Sequence, residues 1–131
     1  MSPNVFSLQS LSSLQGVDIR LQDLAFKVLQ IHDCKVTEGL RTEAQQRIYV
    51  AKGASKTMNS RHLTGHAIDM YPYPIDWNNF KRFYYFAGLV MATAYWMDVP
   101  IRWGGDWDGD NDLDDQNFND LGHFEIPRGS E

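Results

Sequence analysis

Cysteine is nearly absent from this chain of 131 residues: Cys34 stands alone, so no internal disulfide can form and the fold must rest on packing, with or without a metal. Positive charge is scarce as well. Twelve Lys and Arg face seventeen Asp and Glu, and the net charge of −5 argues against a protein that works by neutralising phosphates, so nucleic acid is not an expected partner. No apolar run is long enough for a bilayer; the most apolar stretch, Phe86 to Met97, falls short of the roughly 20 residues a spanning helix needs. The opening residues MSPNVFSLQSLSSLQG have neither the basic start nor the unbroken apolar run of a secretory signal, so the product is expected to begin in the cytoplasm. Internal repeats and linkers are also missing, which leaves one domain over 1–131, with 127–131 (PRGSE) similar to a cleaved-tag remnant and set apart from the fold argument.

What is present is ordinary for a globular domain: 43% hydrophobic and 22% charged residues. Between Val17 and His32, Leu21, Leu24, Ala25, Val28 and Ile31 follow one helical face. Lys35 to Leu40 reads as a strand. Thr42 with Gln45 three places on fits a capping box, and Gly53 suits a helix end, predicting a helix over Glu43 to Lys52. After a polar loop, Ala54 to Arg61, the stretch Ala67 to Tyr71 reads as a strand; Asp76 is the expected cap of a long helix whose face runs from Phe80 through Phe83, Ala87, Val90 and Ala94 to Met97. Ile101 to Trp103 and His123 to Ile126 complete an αβαβαββ order. The expected class is α+β, with helices packed on a small, mainly antiparallel sheet.

Four histidines occur, His32, His62, His66 and His123. A continuous helix would hold His62 and Asp69 roughly 10 Å apart along its axis, and a straight strand would put them on opposite faces. A turn at Gly65 can bring them together, and His123 from a neighbouring strand would complete two imidazoles and a carboxylate, an open three-ligand set for zinc. His32, ending a helix, and His66 are weaker candidates. The acids are uneven too: Asp106, Asp108, Asp110, Asp112, Asp114, Asp115 and Asp120 are seven of the seventeen. Oxygens at Asp108, Asp110, Asp112 and Asp114 alternate as calcium ligands do, although Leu113 and Asn119 stand where an EF-hand loop needs glycine and glutamate.

SRHLTGHAID matches the S-x-H-x-x-G-x-A-x-D signature of the zinc D-alanyl-D-alanine peptidase family, of Hedgehog/DD-peptidase-like fold, and DLGH matches its second signature, an acid three places before a histidine. With EGLRT and GGDW, the chain most resembles that family's phage endolysins, which are L-alanyl-D-glutamate endopeptidases. The resemblance implies a single catalytic peptidase domain with His62, Asp69 and His123 as zinc ligands and Asp120 as catalytic base. It makes Arg41 the group facing the substrate carbonyl, Ser60 a substrate contact and Trp107 a wall of the cleft, with Trp103 in the packing. Asp106 could orient a ligand histidine. The implied substrate is the peptidoglycan stem peptide, cut by a monomer made in the host cytoplasm, released with a holin and acting on the cell wall in the periplasm. The runner-up is a zinc D-alanyl-D-alanine carboxypeptidase.

Three rival readings use the same residues. Ser60, His62 and Asp69 could be drawn as a serine-hydrolase triad, but no G-x-S-x-G turn presents the serine. Cys34 near His32 could be a thiol nucleophile, although a lone cysteine entering a strand is more often buried. A closed structural zinc would need a fourth protein ligand, for which His66 is the nearby candidate.

Overall fold

A computed structural model of the chain describes residues 3–114 and 119–131. Helix α1 (Leu8–Leu14) is followed by α2 (Ile19–Ile31), strand β1 (Cys34–Glu38), α3 (Glu43–Ala51), a 3-10 turn (Arg61–Thr64), β2 (Ala67–Pro72), α4 (Phe80–Trp96), β3 (Arg102–Trp103) and β4 (His123–Glu125). The strands form one antiparallel sheet in the order β1-β2-β4-β3, which agrees with the α+β expectation.

The local signals that held are those whose chemistry is complete within a few residues. Thr42 and Gln45 form both bonds of the capping box at the start of α3. The sequence reading missed α1. Only Ser10 and Leu14 of that helix are buried while Leu8 is 85% exposed, so its apolar spacing carries little signal. Its anchor is polar, since the buried Ser10 hydroxyl accepts a hydrogen bond from the Val36 amide of β1. The expected cap of α4 also needs correction. Asp76 instead accepts from the Asn78 amide in a turn, and Asn79 caps the helix by accepting from the Arg82 amide.

Helices α2 and α4 cover one face of the sheet. Leu21, Leu24, Ala25 and Val28 of α2 meet Phe86, Ala87 and Val90 of α4 over Val36, Ile68, Met70 and Phe124 of the strands. Because side chains alternate along a strand, burying Ile68, Met70 and Phe124 turns Asp69, Tyr71, His123 and Glu125 to the opposite face. The core therefore aims the chemistry. Cys34 is buried at the start of β1, and burial, helped by the Asp33 charge, pushes its thiol up to about 12, which removes it as a nucleophile. Residues 127–131 pack against the body: Ser130 O accepts from Arg20, and the buried Arg61 guanidinium bonds Ile126 O and pairs with Glu131 at 3.0 Å.

The turn expected at Gly65 is real. Gly65 sits at φ +78°, and a Cβ there would lie 2.6 Å from the carbonyl oxygen of Gly16. Replacing it with alanine should cost about 1–3 kcal/mol, from a left-handed backbone and a clash with main chain. Thermal unfolding of Gly65→Ala checks this, and an unchanged melting temperature would show the turn to be less constrained than its geometry implies.

Candidate metal and catalytic site

Antiparallel pairing sets Asp69 directly opposite His123, and the 3-10 turn folds His62 over the same spot. Asp69 Oδ1 lies 3.1 Å from His62 Nε2 and 3.2 Å from His123 Nδ1, and one ligand atom from each of the three residues falls within 4.8 Å of the others. The far nitrogen of each ring is occupied. His62 Nδ1 is 2.8 Å from Gly39 O, and His123 Nε2 is 2.8 Å from Glu125 Oε1. A carbonyl can only accept, so Nδ1 of His62 must carry the proton and leave the Nε2 lone pair aimed at Asp69; Glu125 does the same for His123.

Without a cation, a ring lone pair facing the Asp69 carboxylate is repelled unless a proton stands between them. Burial opposes charge on His123, but its bonds to Asp69 and Glu125 outweigh burial and push its pKa up to about 9. Burial likewise opposes the Asp69 carboxylate, and the imidazoles overcome it, holding that carboxyl far below the usual range. Two lone pairs and one carboxylate oxygen converging in a buried spot are the donor set of a divalent metal, so the residues fit one.

Asp120 stands beside the cluster. Its Oδ2 is 4.0 Å from His123 Nδ1, and burial followed by the Asp69 charge raises its carboxyl to about 6. Arg41 approaches from the other side, 9% exposed, with Nη2 3.9 Å from Asp69 Oδ2. Its Nε donates to Glu38 at 3.1 Å, Nη1 donates to Gln46 at 2.6 Å, and the guanidinium lies over the Tyr49 ring at 4.4 Å. These groups line a groove of about 710 Å³.

A family model described as phage L-alanyl-D-glutamate peptidase matches residues 2–126. The chain belongs to that family. It is 31% identical over 132 residues to the L-alanyl-D-glutamate peptidase of Escherichia phage T5, spanning 92% of this chain and 96% of that protein. The L-alanyl-D-glutamate peptidase of Listeria phage A118 is 33% identical over 91 residues, 67% of this chain and 31% of that longer protein. Among solved structures, the Serratia marcescens L-Ala D-Glu endopeptidase ChiX superimposes with a TM-score of 0.76 at 30% identity, covering 95% of this chain and 91% of that one.

In this chain the remaining expected residues fall into two groups. Ser60 and Trp107 line the groove. The Ser60 hydroxyl also accepts from the His62 amide, holding the turn, and the Trp107 ring lies 5.2 Å from that of His123 with the Arg102 guanidinium over it. Trp103 is buried in the packing. Asp106 does not orient a ligand histidine: Gly39 O and Glu125 hold those places, and Asp106 accepts from the Asn111 amide of its own loop. His66 lies outside the cluster, against Thr64 and Asp18, and His32 packs on Phe86. The serine triad fails on geometry, because both His62 ring nitrogens face Gly39 O and Asp69 and none faces Ser60.

Along the acidic loop, the carboxylates of Asp106, Asp108 and Asp110 gather within 4.8 Å. Asp110 and Asp112 accept from the amides of Asp112 and Asp114 in successive turns. Asp115 lies outside the described residues. Sequence reasoning missed Glu125, Glu38 and Gln46. Glu125 had a signal, since two residues after His123 on a strand is the same face. Gln46 is fully buried, accepts from Arg41 and donates to Ser55 Oγ and Thr57 O, but nothing local in an amphipathic helix marks it.

Proposed function

We propose that the chain is a zinc-dependent peptidoglycan endopeptidase that hydrolyses the L-alanyl-D-glutamate bond of stem peptides, as a phage-type endolysin. The observation that carries this reading is the convergence of His62, Asp69 and His123, in a chain of this family, beside a half-buried carboxyl and a buried guanidinium. Zinc held by those three residues would supply Lewis-acid polarisation of water and of the scissile carbonyl. Asp120 accepts a proton from the attacking water and returns it to the departing D-glutamate amine as the C–N bond breaks and the new C–O bond forms. Arg41, fixed by Glu38, Gln46 and Tyr49, donates to the carbonyl oxygen as it gains charge. Ser60 and Trp107 bound the peptide in the groove.

The same reading has the enzyme made in the host cytoplasm, released with a holin and acting on the wall as a monomer. Among the described residues no helix is long and apolar enough to cross a membrane. The loop from Asp106 to Asp114 is read as a place for calcium. In support, Asp106 keeps a buried carboxylate oxygen with no hydrogen-bond partner among the described residues, beside Asp108 and Asp110.

Mass spectrometry of purified murein fragments, with and without a chelator, tests the activity. A new D-glutamate amino end that disappears with chelation is expected; released D-alanine would replace this reading with the carboxypeptidase. Zinc binding should also depend on pH. The His123 ring, held up to about 9, carries a proton at neutral pH that the metal must displace, so affinity falls as pH drops. The slope should approach about tenfold per pH unit for each proton displaced. Competition titrations between about pH 8 and pH 6 measure it, and a flat response would remove His123 from the ligand set.

A further inference from the structure

A second cavity, of about 480 Å³, opens at the Tyr71 end of β2 and shares Tyr71 and Asp120 with the catalytic groove. Aromatic rings build it. The Tyr71 ring meets Trp77 at 4.7 Å and Phe83 at 5.4 Å, Phe80 meets Phe83 at 6.4 Å, and Tyr84 closes one side. These contacts are edge-to-face, and Trp77 and Phe80 remain 57% and 58% exposed. Neither belongs to the core cluster. Large aromatics left in water beside a reaction centre, with the tyrosine and Asp120 polar groups at hand, suit a ligand that has both an apolar face and hydroxyl groups.

We propose that this aromatic pocket is a sugar subsite, which takes the N-acetylated muramyl ring from which the stem peptide hangs. The inference rests on the peptidoglycan-peptidase reading above and adds an orientation to it. In murein, a lactyl ether and one alanine separate that ring from the carbonyl that is cut, an extended span of about 7 Å. Along β2, Asp69 and Tyr71 are two residues apart, also about 7 Å, so a peptide cut beside Asp69 delivers its sugar to the level of Tyr71. The opposite direction is basic. Ala67 pairs with Glu125 and the Ile126 amide bonds His66 O, so the chain leaving β4 carries Arg128 past the other end of β2, where Lys56 also lines the groove. Beyond the scissile bond the stem peptide bears free carboxylates, which match that basic end and leave the uncharged sugar for the aromatic one.

The test compares a muramyl-tripeptide with the same tripeptide lacking the sugar. Wild-type kcat/KM should favour the muramyl substrate by about tenfold or more. Trp77→Ala and Phe80→Ala should erase that preference while the free peptide is cut as before, and Trp77→Phe, which keeps a ring, should retain most of it. Equal rates on both substrates in the wild type would overturn the proposal. So would variants that lose activity equally on both, which would assign the pocket to the peptide, or variants whose only change is loss of self-association in sedimentation, which would assign it to a second copy. A wild type that cuts neither substrate would overturn the peptidase reading itself, and the subsite with it.

Discussion

Asp120→Ala is expected to bind its metal normally and lose turnover by about 10²- to 10⁴-fold, the range typical of a removed general acid–base group. The separation of the two effects comes from position. Asp120 Oδ2 is 4.0 Å from His123 Nδ1, beside the set of three converging donors and outside it. Its main chain is also pinned independently of the carboxylate, since the Asp120 amide donates to Gly104 O and its carbonyl accepts from the His123 amide, so truncation should leave the backbone where it is. Metal content by mass spectrometry, with kcat on a murein fragment, measures both quantities. Full turnover with metal in place would take Asp120 out of the catalytic step; loss of the metal would make it a ligand instead.

His123→Ala should lose both metal and activity. Removing this ring deletes one of three donors and strips Glu125 of its partner at 2.8 Å. Glu125 is buried, and Arg102, paired with it, is 3.7 Å away, so losing the close ring partner adds a stability cost. Glu125→Gln separates the contributions, because an amide oxygen can still accept from the ring. A lost supporting partner typically weakens a metal site by about 10- to 100-fold, and the loss in His123→Ala should exceed that range. Zinc titration of both variants at one pH, alongside thermal melts, gives the comparison. A His123→Ala protein that holds zinc as tightly as wild type would refute the ligand assignment.

The capping box at Thr42, the turn at Gly65 and the Phe83, Ala87, Val90 and Ala94 part of the α4 face were legible from local spacing, whereas Phe80, expected on that face, is exposed and Phe86, not expected there, is buried. Helix α1 was not, because it buries only Ser10 and Leu14, and the Ser10 contact is a hydroxyl reaching β1 rather than part of an apolar stripe. The support around the site was equally hidden. Gly39 O reaches His62 across 23 positions, and no pattern in the sequence marks a carbonyl as a histidine partner.

By itself the sequence determined the inventory: one cysteine, an acidic loop, two signature segments and the alternation that sends Asp69 and Ile68 to opposite faces of a strand. Only the tertiary structure decided that Asp69 and His123, 54 positions apart, lie opposite each other, that Glu125 rather than Asp106 steadies the ring, and that an aromatic pocket adjoins Asp120. The reason is physical. Alternation and capping depend on short-range geometry, whereas strand order and register are chosen by which pairing buries Ile68, Met70 and Phe124 together under α2 and α4.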